Sequence, residues 1–211
     1  MAYAVKELSR TVTAPTQESL AKLKHVLRYL AGAKRAVLRL RPNVQLADWK
    51  SVVDVECFVD SDWAGCAKTR RSTSGSCVTV LGSSVTSTSR TQATVALSSG
   101  EAELYAIGQG VSEALFVRSM LIESGLTRKA QITVHTDSTA GKSVATRFGA
   151  GKRTKHVDLR YLYMQQLVSE GLVQIKKIHT RQNCADVLTK YVGTETLRKL
   201  APVLGVITNR F

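Results

Sequence analysis

Acidic side chains are scarce in this chain: 16 Asp and Glu stand against 30 Lys and Arg, leaving a formal net charge of +14 over 211 residues. A balance so lopsided points to a polyanionic partner, with nucleic acid the leading candidate. An anionic membrane surface ranks below it, because neither a long basic amphipathic helix nor a lipidation signal accompanies the charge. Long apolar runs are missing as well. No segment reaches the length a bilayer needs and the N-terminus lacks a signal-peptide core, so a soluble protein with no membrane partner is expected. Cysteine is sparse: Cys57, Cys66, Cys77 and Cys184 show no Cys-x-x-Cys spacing, and three of them sit in apolar strand-like runs. Neither a zinc site nor a disulfide framework is indicated, and reduced thiols in an intracellular protein are the expectation. The apolar fraction of 44% suffices for a core, and the length suits one ordinary domain plus an appendage.

What is present falls into three parts. Residues 1–50 read as helical and basic, with Leu20, Leu23, Val26, Leu27 and Leu30 forming one apolar stripe that needs something to lean on. That partner is either the rest of the chain or a domain outside it. From Val52 the pattern becomes strand-like. Runs at Val52 to Asp60, Ser72 to Leu81 and a short one at Ser84 to Thr88 suggest an antiparallel meander, with Gly82-Ser83 as a turn. A helix then runs from Ser98-Ser99-Gly100-Glu101 to Gly125, carrying Leu104, Ile107, Val111, Leu115 and Ile122. Further on come a strand at Gln131 to Thr136, a helix to Arg147, the basic turn Gly151 to His156 and a helix with Leu159, Leu162 and Leu167. A strand at Leu172 to Ile178 and a final helical portion from Ala185 to Lys190 complete the order. The order β-β-β-α-β-α-α-β-α predicts an α/β domain with a mixed sheet over residues 51–192 and a helical tail over 193–211.

The few acids recur where strands end and helices begin, the places where α/β sheets gather functional groups. Asp60 ends the first strand, Glu101 and Glu103 open the long helix, Asp137 ends the fourth strand and Asp186 enters the last helical portion. If brought together, such carboxylates would raise one another's pKa unless a divalent cation resolved the conflict. Oxygen ligands without His or Cys favour magnesium or manganese. Two ions about 4 Å apart can activate a water and stabilise the leaving oxygen of a phosphodiester. Between the two glutamates capping decides: Ser98 to Glu101 matches the capping box, which gives Glu101 a structural duty and leaves Glu103 as the ligand. Asp62 reads as a turn cap beside Trp63.

These residues carry a resemblance. The segments Asp60-Ser61-Asp62-Trp63-Ala64-Gly65, Arg70-Arg71-Ser72-Thr73-Ser74-Gly75, Ala96-Leu97-Ser98-Ser99 with Glu101-Ala102-Glu103, Arg153-Thr154-Lys155-His156, and Ala185-Asp186-Val187-Leu188-Thr189-Lys190 stand as in the ribonuclease H domain of copia-type retrotransposon Pol polyproteins. Residues 1–50, with Leu27-Arg28-Tyr29-Leu30, resemble the tail of the preceding reverse transcriptase, without that polymerase's own aspartate motif.

The resemblance implies a ribonuclease H-like fold, a five-stranded mixed sheet flanked by helices. It implies hydrolysis of the RNA strand of RNA–DNA hybrids by two magnesium ions, which manganese can replace. Asp60, Glu103, Asp137 and Asp186 would be both the catalytic residues and the metal ligands. His179 stands nearest to a mobile histidine associated with product release, an ordinary loop histidine being the alternative. Arg70, Arg71, Lys152, Arg153, Lys155, His156 and Arg160 are candidates for nucleic-acid contacts, as is Ser99 at a helix N-terminus. RNA would be told from DNA through its 2′-hydroxyls, with little sequence preference. The implied partners are the hybrid and the reverse transcriptase domain of the same polyprotein, inside the cell, in the cytoplasmic retrotransposon particle or the nucleus. Two alternatives from other classes are a catalytically inactive nucleic-acid-binding remnant, against which the presence of all four acids argues, and a packing module for the reverse transcriptase.

Overall fold

The structure, a computed structural model, describes residues 1–40, 52–146 and 158–207. Its centre is a five-stranded mixed sheet in the order β4-β3-β2-β5-β6. The strands are β2 (Val53–Asp62), β3 (Thr73–Val80), β4 (Ser83–Thr91), β5 (Ala130–Thr136) and β6 (Val173–Lys177). The first three form the expected antiparallel meander, and β5 and β6 add to it in parallel. The third strand of the meander is longer than its apolar content suggests. Its polar Ser and Thr residues still pair with β3 through the backbone, and the tight turn at Gly82, with φ +77, sets the hairpin.

Side chains on β2 alternate between two faces, as the period of a strand requires. Val53, Val55, Cys57 and Val59 point into the main core, where Leu104, Ile107 and Val111 of α3 (Ser99–Glu123) cover them. Full burial of such side chains stabilises by roughly 1.5–3 kcal/mol each. Gly110 permits the close approach, since a Cβ there would meet Val59 Cγ1 at 2.4 Å and Cys57 Sγ at 2.9 Å. Ser98 caps α3 by accepting from the Glu101 N–H at 3.2 Å, and Gly125, with φ +74, ends it. Two shorter helices, α4 (Thr139–Thr146) and α5 (Asp158–Ser169), follow β5.

The opposite face of β2 carries Phe58, which joins a smaller cluster with Cys77, Cys184 and Leu188. Its cover is a 3₁₀ turn over Cys184–Leu188, tighter than the α-helical portion expected there. Here α1 (Ala2–Ser9) also docks: Lys6 Nζ donates to Thr73 Oγ1 at 2.7 Å, and Tyr3 meets Tyr191 edge-on with ring centroids 5.0 Å apart.

The flanks are not wholly helical. A two-residue strand, β1 (Val37–Leu38), pairs antiparallel with β7 (Val206–Ile207), so the stretch before the sheet is tied to the stretch after α6 (Thr194–Leu200). The pairing exploits backbone groups that neither apolar periodicity nor composition marks. The apolar stripe of α2 (Gln17–Gly32) remains largely uncovered: no α2 residue is buried, and Leu20, Leu23, Leu27 and Leu30 are 41–54% exposed. No helix among the described residues is long and apolar enough to cross a membrane.

Candidate active site

The site begins with strand register. In the parallel pair β2–β5, Phe58 is level with His135, so two residues further on Asp60, near the end of β2, and Asp137, just past the end of β5, come together. Asp186 is carried to the same place by the 3₁₀ turn. Asn183, fully buried, anchors the turn: its Nδ2 donates to the Val59 carbonyl at 2.8 Å, and its Oδ1 accepts from the Ala185 N–H at 3.2 Å. At the other end the Thr189 hydroxyl donates to Asp60 Oδ2. Between them Gly75, the cross-strand partner of Asp60, leaves space for the turn. A Cβ there would meet Thr189 Cγ2 at 2.8 Å, Leu188 Cβ at 2.9 Å and the Ala185 carbonyl at 3.0 Å.

As a result, one carboxylate oxygen from each of Asp60, Asp137 and Asp186 lies within 4.8 Å of the others. Glu103, from the first turns of α3, stands against this group. Burial raises its pKa to about 8, Asp60 and Asp137 push the same way, and the Ser61 backbone amide opposes them. Its Oε2 is buried without a hydrogen-bond partner. Asp60 is raised to about 6, again by burial first, with Thr189 and Lys190 opposing and Asp186 and Asp137 adding to it. An all-oxygen donor set with an unsatisfied buried carboxylate oxygen fits a hard divalent cation, which would meet the charge that the surroundings do not.

The other expectations divide. Glu101 has the structural duty predicted for it, in altered form: its Oε2 accepts from the Leu97 N–H at 2.9 Å, one residue before the capping serine, and its Oε1 accepts from the Tyr105 hydroxyl at 2.8 Å. Asp62 accepts from the N–H of Thr73, its cross-strand neighbour at the start of β3, a contact across the sheet and not within the turn beside Trp63. Arg70 and Arg71 are exposed in the β2–β3 loop, and Ser99 is exposed at the start of α3. Lys152, Arg153, Lys155 and His156 lie outside the described residues, and Arg160 falls in α5 with its side chain outside them. His179 is exposed, and its Nδ1 accepts from the Arg181 N–H at 3.1 Å, capping a short 3₁₀ turn.

Sequence reasoning missed Asn183 and gave Gly75, Thr189 and Lys190 no role within their signatures. Lys190 Nζ lies 3.0 Å from Asp186 Oδ1 and 3.7 Å from Asp60 Oδ2. Its pKa stays above the ordinary value because Asp60 and Asp186 more than offset the opposing effect of burial. The i, i+4 spacing of Asp186 and Lys190, and a glycine inside a strand pattern, were the available signals.

The chain is 30% identical over 209 residues to the retrovirus-related Pol polyprotein from transposon TNT 1-94 of Nicotiana tabacum, a match covering 99% of this chain. A second relative, the Pol polyprotein from transposon RE1 of Arabidopsis thaliana, is 28% identical over 98% of it. The chain belongs to the Pol polyproteins of copia-type retrotransposons. This Pol segment spans only 15% and 14% of the length of those two relatives. No protein-family model matches it. Among solved structures, the N-terminal RNase H domain of Rv2228c from Mycobacterium tuberculosis matches 71% of the Pol segment and 97% of that chain, at 14% identity and a TM-score of 0.49. With its mixed five-stranded sheet between α3 and the Cys184–Leu188 turn, the segment is ribonuclease H-like in architecture, as the resemblance implies.

Proposed function

We propose that this ribonuclease H-like domain is a metal-dependent endonuclease that cuts the RNA strand of RNA–DNA hybrids during retrotransposon reverse transcription. The observation that carries the reading is the meeting of Asp60, Asp137 and Asp186 beside Glu103, whose buried Oε2 has no hydrogen-bond partner, in a chain otherwise dominated by positive charge. These four residues would hold two magnesium ions, or manganese in their place, and the ions when bound supply an activated water and stabilisation of the departing 3′ oxygen.

The chain's own residues do the rest. Thr189 orients Asp60 by donating to one of its oxygens, and Asn183 fixes the turn that carries Asp186. Glu103, carried by the rigid α3, tolerates protonation near neutral pH until a cation favours its charged form. Arg70, Arg71 and Ser99, joined by Lys152, Arg153, Lys155, His156 and Arg160, contact backbone phosphates and make binding steeply salt-dependent. His179 serves as a loop cap. Residues 51–192 form the nuclease domain, and 1–50 the end of the reverse transcriptase.

The test is cleavage of uniformly labelled RNA–DNA hybrid in magnesium, with RNA–RNA and DNA–DNA duplexes as controls. Asp60→Asn and Asp137→Asn should abolish product while leaving hybrid binding intact, and unchanged cleavage by either variant would remove the proposed site. The uncovered apolar stripe of α2 favours one additional role, docking against the reverse transcriptase domain of the same polyprotein. Failure of that domain to associate when added would dismiss it.

A further inference from the structure

Lys190 is the one cation that reaches into the carboxylate group among the described residues, and it reaches two members at once, Asp186 at 3.0 Å and Asp60 at 3.7 Å. Its backbone is held from both sides. The preceding residue, Thr189, is bonded to Asp60, and the following residue, Tyr191, rests edge-on against Tyr3 of α1. The side chain is nonetheless 47% exposed, so the ammonium has an open path to solvent while its Cα stays in place. A lysine is suited to that exchange, since its charge is a compact, strongly hydrated point on a flexible stem.

We propose that Lys190 is a built-in counter-ion of the carboxylate cluster, which holds Asp60 and Asp186 together until a divalent cation replaces it and thereby sets the affinity of the site for that cation. The inference rests on reading Asp60, Asp137 and Asp186 as metal-holding residues. Its sign follows from charge alone. If the ammonium leaves, binding forfeits two ion pairs; if it stays, it repels the incoming cation. In either case the lysine weakens metal binding and stabilises the metal-free fold. A lysine with only a packing role would alter stability without tightening metal affinity. Lys190 is therefore a positioning residue, acting through Asp60 and Asp186.

The experiment is calorimetric titration of the chelator-stripped chain with manganese chloride and with magnesium chloride, without nucleic acid, for the wild type, Lys190→Met and Lys190→Arg. Lys190→Met should bind both ions about tenfold more tightly, as expected for a partly exposed charge a few ångströms from a divalent cation, whereas Lys190→Arg, which keeps the charge, should stay within about twofold of wild type. Melting in excess chelator supplies the second readout. Lys190→Met should melt below wild type, and saturating metal should close or reverse the gap. Lys190→Gln, which retains a donor without the charge, repeats the comparison should the methionine variant fold poorly. Wild-type protein that takes up neither ion would overturn both the metal reading and the inference. Wild-type binding alongside equal or weaker binding by Lys190→Met and Lys190→Gln would overturn the counter-ion role alone.

Discussion

Replacing Glu103 by Gln should stabilise the metal-free protein, and by an amount that depends on pH. In the unfolded chain this carboxyl titrates at its ordinary value of 4.5, while in the folded protein burial beside Asp60 and Asp137 moves it up to about 8. Between those values the folded protein retains a proton that the unfolded chain has released. The stability associated with this group is therefore complete below the lower value, falls as pH rises through the interval and levels off above the upper one. Converted at 1.36 kcal/mol per unit, the full penalty for the ionised wild type is about 3–5 kcal/mol, a large share of the 5–15 kcal/mol by which domains are typically stable. The Glu103→Gln variant would carry none of it, because an amide of the same shape stays neutral throughout. Urea denaturation in excess chelator should find the two proteins nearly equal at about pH 4.5 and the variant more stable by several kcal/mol at about pH 9. Saturating magnesium at the higher pH should then favour the wild type, which has the charge to bind it. A difference between the proteins that is the same at both pH values, or a variant less stable at about pH 9, would refute the electrostatic account of this residue.

Other outcomes follow from the same geometry. Asp186→Asn should reduce hybrid cleavage at least about a hundredfold, measured under single turnover, a loss of roughly 2.7 kcal/mol or more of transition-state stabilisation. Gly75→Ala places a methyl group against Thr189, Leu188 and the Ala185 carbonyl, and should cost about 1–3 kcal/mol in denaturant melts while displacing the turn that carries Asp186. Asn183→Ala leaves the buried Val59 carbonyl and Ala185 N–H without their partner and should cost about 2–4 kcal/mol by the same measurement. Replacing Arg70 and Arg71 together by Ala should weaken hybrid binding and lower the slope of log affinity against log salt by about 2, read from fluorescence anisotropy across a salt series.

Much of this architecture was legible because it depends on local pattern. The alternation Val53, Val55, Cys57, Val59 announces a strand with one face in the core, and the apolar repeat from Leu104 to Leu115 announces the helix that covers it. Asp60, Glu103 and Asp137 could be nominated because each stands where such an element begins or ends. What could not be read depends on contacts between distant parts of the chain. Asn183 looks like any polar loop residue until Val59, far away in sequence, is seen to accept from it. Lys190 looks like one more basic residue among 30 until the turn sets it over Asp186 and Asp60. The β1–β7 pair is too short for periodicity to register, and the tight geometry of residues 184–188 is imposed by the sheet beneath them.

The pairing of β1 with β7 has a consequence for shortened fragments. Trimming either end of the chain strands the opposite end, so the two flanks form one unit to be kept or discarded together. Loss of α1 would also take away Tyr3, the brace on Tyr191, immediately beyond the lysine that guards the carboxylates. If the carboxylates hold metal as proposed, a fragment reduced to its central sheet should bind it with an affinity different from that of the whole chain.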